Sequence, residues 1–226
     1  MKRYLALDMG NVLCRIDFRK FTFAISEATN ISTWEVGQRV NRSQKMRDVG
    51  LLDMKDVLAS EFQIKSSVIM DKILTIWDKE VVVFDWSVLD FFEKMYDDDN
   101  QINIALLSNV GTDHAQMINR FFNTEYTNMH HHGIFKHAIR HFSCDIGVRK
   151  PQSLYYQSFL QRYPKFTGCV YLDDLSQNLL VSKEFGFRAV QFDLDKINSK
   201  KECLAMLQQI RDIILEPKDE ENSRRH

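Results

Sequence analysis

The sequence predicts an α/β fold, a doubly wound parallel sheet with a small helical insert. Apolar runs of strand length recur with helical segments between them in the second half of the chain, the strongest runs end in polar or acidic residues, and roughly ninety residues separate the first run from the second. Strands alternating with helices imply parallel pairing through crossovers. The strand-like runs cover residues 4–9, 102–108, 138–143, 169–173 and 188–192.

The ninety intervening residues do not read as strand–helix–strand units. Residues 18–28, 32–46, 53–62 and 67–77 each carry apolar side chains at helical spacing, with Asn30, Ser32, Asp53 and Ser66 or Ser67 as candidate caps. The expected organisation is a core formed by residues 1–15 and 86–215, interrupted by a four-helix cap over 16–85. The central turn of the cap is Arg47-Asp48-Val49-Gly50-Leu51-Leu52-Asp53. Residues 86–96 return the chain to the core and end in an acidic loop, Asp97-Asp98-Asp99-Asn100. The charged tail, 216–226, is expected to be frayed.

Composition narrows the partners. The 226 residues carry a net charge of −1 and are 44% hydrophobic, so neither a basic excess for nucleic acid nor an acidic, disorder-prone excess is present. No run approaches the roughly 18 apolar residues of a membrane helix. The start, Met1-Lys2-Arg3, leads into a run that meets Asp8 too soon for a signal peptide. Cys14, Cys144, Cys169 and Cys203 share no Cys-x-x-Cys spacing and read as reduced, structural thiols. A cytoplasmic protein with a small-molecule ligand is expected, and the oligomeric state is not legible.

The chemistry lies at the ends of the runs. Asp8 closes Tyr4-Leu5-Ala6-Leu7, and Asp173-Asp174 closes Gly168-Cys169-Val170-Tyr171-Leu172. A carboxylate at the end of a buried strand is desolvated with no packing gain, so two such strands call for a shared cation, for which Mg²⁺ is the natural choice. Ile102 to Leu107 ends in Ser108-Asn109, and Gly147-Val148-Arg149-Lys150-Pro151 places a lysine at an expected helix start.

In that order, Asp8, Ser108, Lys150, Asp173 and Asp174 resemble the four-motif signature of the haloacid dehalogenase-like hydrolases, from Leu5 to about Phe192. Asp8-Met9-Gly10-Asn11-Val12-Leu13 resembles the first motif of a subgroup that includes sugar-phosphate phosphatases, with some similarity to the phosphatase domain attached to soluble epoxide hydrolases. The resemblance implies a Rossmann-like core under a helical cap and hydrolysis of a phosphate monoester through an aspartyl-phosphate on Asp8, with sugar phosphates favoured over nucleotides. It implies that Ser108, the Asn109 amide and Lys150 hold the phosphoryl group, and that Mg²⁺ sits on Asp8, the Gly10 carbonyl and Asp174, with Asp173 direct or through water. It also implies that the cap turn, with Arg47 as a candidate contact, selects the substrate.

Gly10 departs from the pattern. Most phosphatases of the family carry an aspartate there as general acid, help worth about 10²- to 10⁴-fold. Asp17 is the nearest replacement in sequence. Asn178 could orient the Asp173-Asp174 loop or simply start a helix. The run His130-His131-His132, with His137 and His141 beyond, could suggest a transition-metal site, but a solvated loop is the expected reading. Two rival functions stay open: a metal-independent haloacid dehalogenase, and a degenerate phosphate-binding protein with little turnover.

Overall fold

The computed structural model describes residues 2–99, 102–130 and 133–216. Its main sheet has five parallel strands in the order β5-β4-β1-β6-β7, where β1 is Arg3–Leu7, β4 Ile102–Ser108, β5 Ile139–Phe142, β6 Val170–Asp173 and β7 Arg188–Gln191. The central strands are largely apolar because both faces are covered. Leu5, Leu7, Ile104, Leu106, Val170 and Leu172 join one buried cluster, while Ala6, Ala105, Leu107, Cys169 and Tyr171 join the other. That two-residue alternation puts a continuous hydrophobic run to use on both sides of the sheet.

On the first face lie α5 (Trp86–Asp99), α6 (Thr112–Asn123), α7 (Glu125–Met129) and α11 (Lys200–Leu215), and on the second α9 (Ser153–Arg162) and α10 (Ser176–Glu184). The single-turn α8 is Ser143–Ile146. Helix α5 runs through Asp97 to Asp99, where a loop was expected. Asn100, His131, His132 and the tail beyond Glu216 lie outside the described residues.

A second, two-stranded sheet was not expected. Cys14–Ile16 (β2) pairs antiparallel with Val82–Phe84 (β3) and brings entry and exit of the insert side by side. Between them lie α1 (Arg19–Thr29), α2 (Thr33–Asp48), α3 (Met54–Ser60) and α4 (Ser67–Glu80). Ser32, Asp53 and Ser66 are their N-caps, each accepting the backbone N–H three residues on, and Asp53 with Asp56 completes a capping box. Asn30 instead ends α1 in a left-handed conformation, which asparagine tolerates. Helix α2 continues two residues further than expected, so Arg47 and Asp48 belong to its last turn rather than to a loop.

Candidate active site

Four chain segments converge where β1, β4 and β6 end. Asp8 continues the ladder past β1, its N–H donating to Leu172 O at 2.8 Å. Its Oδ1 accepts the Met9 N–H at 2.7 Å and the Lys150 ammonium at 3.0 Å, and Oδ2 receives no hydrogen bond from a described residue. Lys150 precedes α9 rather than starting it, and its bond to Pro151 is cis. Asn109 fixes that segment: Nδ2 donates to Lys150 O at 2.9 Å, and Oδ1 accepts Lys150 N–H at 2.8 Å. The Asn109 carboxamide therefore holds the lysine in place. Ser108 is buried in the cavity wall beside it. Of the neighbouring amides, that of Val110 is committed to Ser143 Oγ at 2.9 Å.

Asp173 and Asp174 have different surroundings. Asp173 is fully buried, and its Oδ2 accepts Lys150 Nζ at 2.7 Å, the Tyr171 hydroxyl, and Asn178 Nδ2 at 3.1 Å. Its Oδ1 accepts Leu175 N–H and Asn178 Nδ2, both at 2.9 Å. Both oxygens are occupied by protein donors, so Asp173 anchors Lys150 and the loop, and Asn178 orients it. Asp174 is half-buried and accepts from Asn11 Nδ2 at 3.3 Å.

Charge explains the titration of the cluster. Burial pushes the Asp8 carboxyl up to about 7; Lys150 opposes this, and Asp173 and Asp174 add to it. Burial and then Asp173 also raise Asp174. Lys150 is drawn down by burial, but Asp173 and Asp8 outweigh that and leave it raised. Three carboxylates within 4.8 Å of one another face one ammonium. The donor set fits a hard divalent cation: oxygen ligands on adjacent strand ends, an excess of negative charge, and a buried Asn11 Oδ1 with no partner at the same spot. Asp8 and Asp174 are the carboxylates with oxygens to spare.

These residues open onto a cavity of about 530 Å³ between core and insert. Its far wall is built from α2, with Arg47 and Asp48 at the end nearest the core. Arg47 is buried, its guanidinium 5.1 Å from the Trp77 ring and bonded back to Ser43 Oγ and Val40 O at 3.1 and 3.4 Å. Asp48 pairs with Arg149 at 3.1 Å. Asp17 does not line the cavity; Arg19 holds it at 2.6 and 2.9 Å and keeps its carboxyl low, at about 2. An acid needed at neutral pH is poorly served by a carboxyl so placed, which removes the physical ground for Asp17. His130 contacts Asp90 at 3.3 Å, His137 is exposed, and His141 is buried against Tyr155 O at 3.1 Å, so these three do not converge on a metal position.

Sequence reasoning missed Tyr171, Asp48 and Arg149. Two signals were present: Tyr171 stands two residues before Asp173 and so shares its face of the strand, and Arg149 adjoins Lys150.

No protein-family model and no curated protein matches the sequence. Solved structures do match the fold. A HAD (haloacid dehalogenase-like) family enzyme from Bacteroides thetaiotaomicron, in complex with magnesium and inorganic phosphate, superposes with a TM-score of 0.68 at 17% identity, covering 88% of this chain and 98% of its own. A predicted HAD-like hydrolase from Porphyromonas gingivalis gives 0.63 at 15% identity over 92% and 98% of the two chains. A dehalogenase gives 0.59 at 13% identity over 96% and 98%. With its five parallel strands, helical insert and acidic strand ends, the chain has the fold of the haloacid dehalogenase-like hydrolases.

Proposed function

We propose that the protein is a Mg²⁺-dependent phosphomonoesterase of the haloacid dehalogenase-like family, acting on a small phosphate ester through an aspartyl-phosphate on Asp8. One observation carries the reading: the buried array in which Lys150 bridges Asp8 and Asp173 while Asp174 stands beside them. With all four groups ionised its net charge is −2, which repels a phosphate dianion unless a cation is present. When bound at Asp8 and Asp174, Mg²⁺ supplies that neutralisation and polarises the phosphoryl group.

The chain's own groups do the rest. Lys150 and the Met9 amide hold the Asp8 carboxylate in place, and one of its oxygens is the nucleophile. That oxygen bonds to phosphorus as the ester oxygen departs with the bonding pair. Ser108 and the Asn109 N–H hold phosphoryl oxygens through the transition state. Water then attacks phosphorus, phosphate leaves, and the Asp8 carboxylate is restored. The position that usually supplies the proton is Gly10, so the leaving oxygen departs with more negative charge and the rate depends steeply on its acidity.

Asp174 favours this reading over a metal-free dehalogenase, because a half-buried carboxylate next to the nucleophile repels an anionic haloacid as well. The test is a panel of phosphate esters and haloacids assayed with Mg²⁺ and with excess chelator. Ester hydrolysis that requires Mg²⁺ supports the proposal; halide release in chelator overturns it. Binding of phosphate without turnover of any ester would favour the degenerate, phosphate-binding alternative.

A further inference from the structure

One buried cation in the cavity wall has no ion-pair partner. Arg47 is 7% exposed, and among the described residues no carboxylate lies within salt-bridge distance of it. Burial draws its guanidinium below the ordinary arginine range, against the opposing pull of Asp48 and Asp113. Both acids are committed elsewhere, Asp48 to Arg149 at 3.1 Å and Asp113 to the Trp77 indole N–H at 2.7 Å and the Met54 N–H at 3.3 Å. A buried charge without a counter-charge is costly, so the free protein holds a positive charge that an anion entering the cavity would compensate.

The side chain is held in place. Nε and Nη2 donate to Ser43 Oγ and Val40 O on the same helix, and the guanidinium lies 5.1 Å from the Trp77 ring, itself stacked on His114 at 4.2 Å. Nη1 donates to no described residue, so one edge of the fork is left for a ligand in the cavity. That position is close to the phosphoryl site. A Cβ built on Gly111, in the loop that follows Ser108-Asn109, would stand 3.5 Å from Arg47 O and 3.7 Å from Arg47 Cβ.

Charge decides the class of ligand. The other cations of the wall are matched, Arg149 by Asp48 and Lys150 by Asp8 and Asp173, and burial lowers the pKa of His114, so it adds no charge at neutral pH. One guanidinium edge and one spare positive charge suit a carboxylate, which accepts two N–H bonds and carries a single negative charge; a second phosphate dianion would bring charge that no group of the wall matches. We infer that the substrate is a phosphorylated hydroxy acid, with its phosphate at Asp8 and Lys150 and its carboxylate on Arg47. This deepens the phosphatase reading and rests on it.

The test is calorimetric titration of the Asp8→Asn protein with Mg²⁺ present, using inorganic phosphate, short alkyl phosphates, the phosphates of the corresponding ω-hydroxy acids and the corresponding diol bisphosphates. At the chain length that fits, the carboxylate should tighten binding over the matched alkyl phosphate by about tenfold to a hundredfold, as expected for hydrogen bonds between charged groups. Adding Arg47→Met, which keeps an apolar stem and removes the fork, should erase that margin and leave inorganic phosphate and the alkyl phosphates unchanged. Arg47→Lys, a charge without the fork, should recover only part of it, and because it keeps the buried charge the inference does not depend on how Arg47→Met folds. The melting temperature gives a readout that a structural role would move: with the unpaired charge gone, Arg47→Met should melt no lower than its parent. Equal binding of the phosphorylated acid and the alkyl phosphate, tighter binding of the bisphosphate, or a margin that survives both variants overturns the inference. So does an equal weakening of every ligand in Arg47→Met, because Arg47 would then hold the phosphoryl group itself. Failure of the phosphatase reading looks different: the wild-type protein would then turn over no aryl phosphate, whatever the ranking of ligands.

Discussion

Lys150 is buried between two carboxylates, with Nζ 3.0 Å from Asp8 and 2.7 Å from Asp173. Removing it leaves two buried negative charges facing each other, so Lys150→Ala should destabilise the fold by about 3–5 kcal/mol and abolish turnover. Asp8→Asn should abolish turnover at a much smaller cost in stability, because Lys150 keeps Asp173 and Tyr171 as partners. Denaturant titrations of both variants check the contrast, and equal losses would contradict it. Gly10 gives a second prediction at this scale. A Cβ there meets only Ile16, at 3.7 Å, an ordinary contact with no unfavourable backbone angle to overcome. Wild type should cleave aryl and anomeric phosphates far faster than primary alkyl phosphates, and Gly10→Asp should narrow that gap, by up to about 10²-fold for the alkyl esters. A flat dependence on leaving-group acidity in wild type would mean that another residue already donates the proton. Single residues were legible in the sequence where burial made them anomalous, as with Asp8, Asp173 and Lys150. The task of Asn109 was not, since a carboxamide that clips a lysine backbone 41 positions away leaves no local trace.

At the scale of elements, a polar contact set at Asp113 helps tie the insert to the core, beside the Asp48–Arg149 pair and the His114–Trp77 contact. Asp113, in the first turn of α6, accepts the Trp77 indole N–H at 2.7 Å and the Met54 N–H at 3.3 Å through Oδ2, so one carboxylate oxygen holds both α4 and the start of α3. Asp113→Ala should cost about 1–3 kcal/mol, the penalty for leaving the buried indole N–H without an acceptor. Faster amide exchange should then be confined to α3 and α4, with β1 and β4 unchanged. Uniform acceleration across the sheet would mean that the contact stabilises the whole fold rather than the seating of the insert. The helices of the insert were readable because Ser32, Asp53 and Ser66 stand where apolar periodicity begins. The stem was not. Strands β2 and β3 have three residues each, too few for a two-residue alternation to register, and only their pairing across the insert defines them. The end of α2 was misplaced by the same rule, because Gly50 and Leu51 look like a turn while backbone hydrogen bonding carries the helix to Asp48.

For the whole molecule, strand order decides where chemistry can occur. The chain runs from β1 outward to β4 and β5 and then crosses back to β6 on the other side of β1, so the carboxyl ends of β4, β1 and β6 flank a crevice into which Asp8, Ser108 and Asp173 are delivered together. That arrangement was legible from five apolar runs and their terminal residues, since a parallel sheet buried on both faces leaves only its strand ends for polar function. The cavity wall was not, because the face that α2 presents depends on how the insert folds back over the core. The central claim is that phosphoryl transfer passes through Asp8, and rapid quenching of the protein during turnover of an aryl phosphate with Mg²⁺ tests it most directly. The account predicts one added phosphoryl group on the peptide containing Asp8, lost on treatment with hydroxylamine and absent in excess chelator. Turnover that continues in chelator, or a phosphoryl group trapped on any other residue, would contradict it.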